Sequence, residues 1–142
     1  MLIPNLFQKW NINANGIIHI GAHMCEERDI YSNAGINDSK VIWIEANPGI
    51  YQHAKNTLPQ SIKLYQGVIS DKEDIVDFIV TNNFQSSSFL ELKEHKREHP
   101  DVYEIQRIKL QSCTLPQFYE RNNIDASLYD FLAMDIQGAE LH

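Results

Sequence analysis

Residues 17–27 read Ile-Ile-His-Ile-Gly-Ala-His-Met-Cys-Glu-Glu, and this stretch decides the fold. A run that is apolar at every position but His19 stops at Gly21-Ala22 and gives way to residues of helical character. A strand without a polar face is one covered on both sides, as in a parallel sheet flanked by helices. Two later segments repeat the design, Val41–Pro48 (VIWIEANP) and Phe131–Leu141 (FLAMDIQGAEL), each placing a small or acidic group just past an apolar run. Open parallel α/β sheets bind ligands outside the carboxyl ends of their strands, so a nucleotide-type cofactor is the first expectation.

Outward from that stretch, apolar runs alternate with segments of helical spacing, the pattern of βαβ units. A short leading helix is expected within Met1–Trp10, a first strand at Gly16–Ile20 and a helix over Glu26–Ala34 ended by Gly35. A second strand follows at Lys40–Glu45. Pro48 suits the first turn of a helix running to about Leu58, before Pro59. A third strand is predicted at Lys63–Ile69, and Ile75–Thr81 alternates like a half-exposed strand. Thr81–Ser88 reads as a polar loop and Lys93–His99 as a solvated helical face. Ile105–Leu110, Leu115–Asn122 and Tyr129–Ile136 are expected as strand, helix and buried strand.

The chain has 142 residues, 43% of them hydrophobic, enough for one domain over 1–142 with one core. Nineteen acidic against twelve basic side chains leave a net charge of −7, a field that repels nucleic-acid phosphates and anionic lipid. No apolar run reaches the length of a membrane span, and the amino-terminal residues lack the pattern of a signal peptide. A cytoplasmic protein is expected, with no nucleic-acid or membrane partner. Cys25 and Cys113 are too few for a disulfide framework. Cys25, near an expected helix start, is read as a small apolar filler rather than a reactive thiol.

Chemistry concentrates in three turns. At Gly21, Ala22 and His23 the backbone can approach a ligand, and the following helix start is expected to offer free N–H groups to an anion. A β-branched residue at Gly21 is expected to block the ligand and leave the fold intact. His23 and Glu26 stand where a dinucleotide fingerprint wants glycines, and no phosphate-cradling loop is present. Glu45 ends the second strand, where a carboxylate can accept both hydroxyls of a ribose. Asp135 ends the last strand, where it could contact a cofactor ammonium or accept the proton of a substrate hydroxyl, with helix capping as its structural alternative.

Other candidates are weaker. His19 is read as a hydrogen-bonded core residue. His95 and His99 lack an evident third ligand, so no metal is expected. The serine run at 86–88 has no identifiable paired base, and no nucleophile elbow exists.

Six landmarks in order resemble the FkbM family of S-adenosylmethionine-dependent methyltransferases: Gly21-Ala22, Glu45-Ala46-Asn47-Pro48, Val68-Ile69-Ser70-Asp71-Lys72, Ser86–Ser88, Thr114-Leu115 and Asp135–Glu140. The resemblance spans Ile17–Leu141. It implies a Rossmann-like class I methyltransferase sandwich, here its N-terminal cofactor-binding part only, with extra antiparallel strands after the third parallel strand. It also implies S-adenosyl-L-methionine as cofactor, bound or oriented by Gly21, Glu45 and Asp135, with Ile69, Ser70 and Asp71 against the adenine. Acceptors would be hydroxyl groups of small molecules or glycans. The sequence departs from the family pattern at His19 (commonly aspartate), Cys25 (glycine), Ala133 (lysine) and Gln137 (glutamate).

Two alternatives stand beside this reading, a catalytically silent cofactor-binding module and a nucleotide-sugar-binding protein using the same turns. A sheet ending at the fourth parallel strand would leave Phe131–Ile136 at an open apolar edge. Self-association through that edge, weak cofactor binding and little turnover are therefore expected.

Overall fold

A computed structural model describes residues 5–81 and 104–135. In chain order the elements are Leu6–Lys9 (α1), Ile17–Ile20 (β1), Arg28–Asn33 (α2), Val41–Glu45 (β2), Pro48–Thr57 (α3), Lys63–Gln66 (β3), Val68–Ile69 (β4), Ile75–Thr81 (β5), Glu104–Cys113 (β6), Leu115–Arg121 (α4) and Phe131–Met134 (β7). The loop and helix expected at 81–88 and 93–99, with Ser86, His95 and His99, lie largely or wholly outside the described residues, as do Gln137 and Glu140.

Four strands form a parallel sheet in the order β3-β2-β1-β7. Every residue of β1 and β2 is buried, as the uninterrupted apolar reading of these runs requires. One face packs Ile17, Trp43 and Leu64 against Phe7, Tyr31 and Ala54 from α1, α2 and α3. The other packs Ile18, Ile20, Ile42 and Ile44 against Phe118 of α4. This is a mixed α/β, Rossmann-like architecture. Among the described residues no helix is long and apolar enough to cross a membrane.

The register carries the functional consequence. Ile20 stands beside Ile44 on one side and Met134 on the other, so Gly21, Glu45 and Asp135 all lie at one carboxyl edge of the sheet. At the opposite end Asp130 clamps the two strands in phase, its carboxylate accepting from the Asn15 backbone N–H at 2.8 Å and the Asn15 side chain at 2.9 Å.

Three local expectations are corrected. The run read as one strand over Lys63–Ile69 is divided at Gly67 between two sheets. Gly67 N–H donates to the Glu45 carbonyl at 3.0 Å, and a Cβ there would sit 3.2 Å from the Phe118 ring, so the chain turns where only glycine fits without displacement. The helix expected from Glu26 starts at Arg28: Glu26 serves the turn ahead of it, its carboxylate pairing with the His23 ring and accepting from Met24 N–H. The strand expected over Ile105–Leu110 extends over all of Glu104–Cys113.

Beyond Gly67, β4 pairs in parallel with β6 while β5 pairs with it antiparallel, giving a second sheet in the order β4-β6-β5. Its base is tied by Ser70 N–H to the Cys113 carbonyl at 2.9 Å. Fully buried Ser112 completes the tie, donating from Oγ to the Lys72 carbonyl at 2.8 Å and accepting from Asp74 N–H at 3.1 Å. Thr114 then starts α4 with a reciprocal capping box to Gln117.

Candidate functional site

Glu45 is the centre of the carboxyl edge. Its side chain is 7% exposed, and each of its oxygens receives one backbone N–H: Oε2 from His23 at 2.7 Å and Oε1 from Asn47 at 2.9 Å. Burial raises the Glu45 pKa, and the two amide donors oppose that shift. A carboxylate oxygen has two lone pairs, so each keeps one acceptor position beyond the amide it already serves.

Asn47 turns the chain into α3. Its Oδ1 accepts from Gly49 N–H at 2.9 Å and Ile50 N–H at 3.3 Å, the N-cap arrangement expected before Pro48. Its Nδ2 is buried and has no partner among the described residues. A buried donor without an acceptor is unfavourable, and this one lies two residues from Glu45 in the chain. Ala46 contributes its carbonyl to the Gln66 side chain at 3.0 Å.

The turn at residues 21–25 is fastened from within, which corrects the expectation of free amides there. Gly21 and Ala22 N–H both reach the Ile44 carbonyl, at 2.9 and 3.0 Å, His23 N–H goes to Glu45, and Cys25 N–H returns to Ala22. Helix α2 begins too late and is too short to present an anion cradle at Gly21. The His23 ring instead pairs with Glu26, whose other oxygen accepts from Met24 N–H.

Gly21 is also constrained differently from expectation. Its φ is +87°, and a Cβ built on it would overlap the Asp135 carbonyl oxygen and stand 2.8 Å from its carbon. The position is reserved by β7 as much as by any ligand, so a bulky residue there disturbs the fold itself. Asp135 N–H donates to the Ile20 carbonyl at 2.9 Å, which fixes this close approach; its side chain is exposed.

Gly21, Ala22, His23, Glu45, Ala46 and Asn47 thus form one hydrogen-bonded unit, with the Asp135 backbone against Gly21. Ile69, Ser70 and Asp71 belong to the base of the second sheet, tied to the unit through Gly67 and Glu45. His19 is the core residue expected, with Nδ1 2.6 Å from the Tyr31 hydroxyl and its ring 4.7 Å from that of Trp43. Burial pulls its pKa from 6.5 to about 4. Cys25 is buried, and burial pushes its thiol up to about 12, which suits a filler and not a nucleophile.

Sequence reasoning passed over Glu27. It is buried beside His19, where burial raises its pKa, and its sequence neighbours Glu26 and Arg28 make it read as one of a run of surface charges. Among the described residues no cluster of three or more histidine, cysteine or acidic side chains is arranged to hold a metal ion.

A family model described as the Methyltransferase FkbM domain matches residues 19–142. Neither curated proteins nor solved structures yield a match.

Proposed function

The chain belongs to the FkbM methyltransferase family, and from that premise we propose that it uses S-adenosyl-L-methionine to methylate a hydroxyl oxygen on a sugar or secondary-metabolite-like acceptor. The observation that carries the cofactor reading is the Glu45 carboxylate, buried, held by two backbone amides and left with one acceptor position on each oxygen. A vicinal diol is the complement of such a pair. The unmet Asn47 Nδ2 donor supports a ligand that also accepts.

When bound, the cofactor supplies the electrophilic methyl group. The chain's own residues bind, orient and move a proton. Glu45 and Asn47 hold the ribose end, while the turn formed by Gly21, Ala22 and His23 sets the floor. Asp135, on the same edge, takes the proton of the acceptor hydroxyl. Ile69, Ser70 and Asp71 are assigned to the adenine side. The net negative charge and the two free thiols favour a small-molecule or glycan acceptor in a reducing, cytoplasmic setting over nucleic acid. Exposed Leu132 and Met134 on β7 support self-association along that strand.

Calorimetry with S-adenosylhomocysteine, ATP and NAD tests the reading. S-adenosylhomocysteine should bind in preference to the other two, and Glu45→Ala should weaken it about 5- to 150-fold, the ~1–3 kcal/mol of charged hydrogen bonds to a buried diol. Equal affinity in the variant removes Glu45 from the site. Binding without methyl transfer to any hydroxylated acceptor would make the chain a silent cofactor-binding module.

A further inference from the structure

We propose that His19 is a positioning residue for the cofactor turn, acting through Tyr31 and Glu27 on the segment that Gly21 opens; the proposal rests on the cofactor reading above. An aliphatic side chain would fill this place in the core with no polar atom to satisfy. His19 instead brings two ring nitrogens into a site where it, Tyr31 and Glu27 are 2%, 1% and 5% exposed.

The hydrogen bonding of the trio is incomplete. With the proton of the 2.6 Å Nδ1 contact assigned to the Tyr31 hydroxyl, the neutral ring is left protonated on Nε2. That Nε2–H has no partner among the described residues, and the nearest Glu27 carboxylate oxygen is 3.8 Å away, beyond hydrogen-bond reach. Burial opposes charge on both groups, which keeps the ring neutral.

The connections of the trio are to the site. His19 lies two residues before Gly21 on β1, and Glu27 is the residue from which α2 starts, directly after the turn. Trp43, stacked on the His19 ring, lies two residues before Glu45 on β2. The imidazole therefore touches all three elements that hold the turn and the Glu45 carboxylate. An inward movement of the turn of about 1 Å brings Glu27 onto Nε2–H at an ordinary hydrogen-bond length. Loading the site closes that gap, and the new bond locks the turn.

Nitrogen-15 NMR of the histidine-labelled full chain tests this without a substitution. The His19 ring should show the Nε2–H tautomer in the free protein, and its Nε2–H resonance should move downfield when S-adenosylhomocysteine is added. In parallel, Glu27→Gln should weaken S-adenosylhomocysteine about tenfold, the difference between a charged and a neutral acceptor for Nε2–H, while the melting temperature stays close to that of the unaltered chain. Binding that leaves the His19 resonances unmoved overturns the positioning role and leaves the cofactor reading standing. A wild-type chain that does not bind S-adenosylhomocysteine overturns both.

Discussion

Replacing Gly21 with alanine should destabilise the chain more than the same change at Gly35 or Gly16, because only Gly21 combines two separate demands. Gly35 has a φ of +83° and open space around its would-be Cβ, so it isolates the cost of backbone conformation. Gly16 lacks a positive φ, but a Cβ there would overlap the Leu128 carbonyl and lie 2.9 Å from Tyr129 Cδ1, so it isolates crowding. Gly21 has a φ of +87° and an overlap with the Asp135 carbonyl. The left-handed angle costs an alanine about 1–2 kcal/mol, offset by about 0.4–1 kcal/mol because the unfolded chain also loses freedom. Crowding against backbone adds about 1–3 kcal/mol. Displacing Asp135 from its bond to the Ile20 carbonyl adds about 1 kcal/mol. The expected losses are therefore about 0–1.5 kcal/mol for Gly35→Ala, about 0–2.5 for Gly16→Ala and about 2–5.5 for Gly21→Ala. With about 3 °C of melting temperature per kcal/mol for a chain of this size, calorimetric scans resolve the order. A Gly21→Ala chain no less stable than Gly35→Ala would refute the claim that β7 presses on this turn.

Acidification provides a second set of checks. His19 has its folded pKa depressed from 6.5 to about 4, so the stability it lends is whole above pH 6.5 and is lost as pH falls through about 4. That loss is about 2–4 kcal/mol, and His19→Gln should flatten the stability curve across this window; parallel urea curves would contradict the buried neutral ring. Glu45 has the opposite sign. Its folded pKa lies above 4.5, so its contribution is whole below pH 4.5 and is lost as pH rises through the folded value. Relative to Glu45→Gln, the wild type should thus gain stability on acidification while its ligand affinity falls, and calorimetry showing the two rising together would contradict this. Ellman's reagent should react with Cys25 and Cys113 only after unfolding, since both thiols are buried with raised pKa values; rapid labelling of the native chain is the opposing result. Thr114→Ala should cost about 1 kcal/mol in a denaturation series through loss of the capping box, and no change would deny the cap its role.

The parallel sheet was legible because Ile17–Ile20, Val41–Glu45 and Phe131–Met134 sit in apolar runs that end on residues unsuited to a core. The same endings mark Gly21, Glu45 and Asp135, which the register places at one edge of the sheet. What stayed hidden depends on contacts between distant parts of the chain. Nothing local in Lys63–Ile69 says that Gly67 must face Phe118, so the segment reads as one strand where two sheets divide. Gly21 looks like any glycine placed for a ligand until Asp135, far along the chain, is seen against it. The late start of α2 follows from Glu26 serving His23 and Met24 instead of a helix turn. Glu27 reads as an ordinary charged residue, and only the fold places it beside His19.

The tie at the foot of the second sheet has a consequence for how such a chain can diversify. Residues 71–112 leave and return at one place, where Ser70 bonds to Cys113 and Ser112 to Lys72 and Asp74. An excursion whose two ends already meet can change its length or content without moving its anchors, because doubling a closed loop costs only about 0.6 kcal/mol in chain entropy. Glu45 and its two amides stay put while the excursion is rewritten. The architecture thus separates an unchanging grip from an exchangeable appendage, and new variants can arise by insertion or deletion above Ser70 with the rest of the sheet inherited whole.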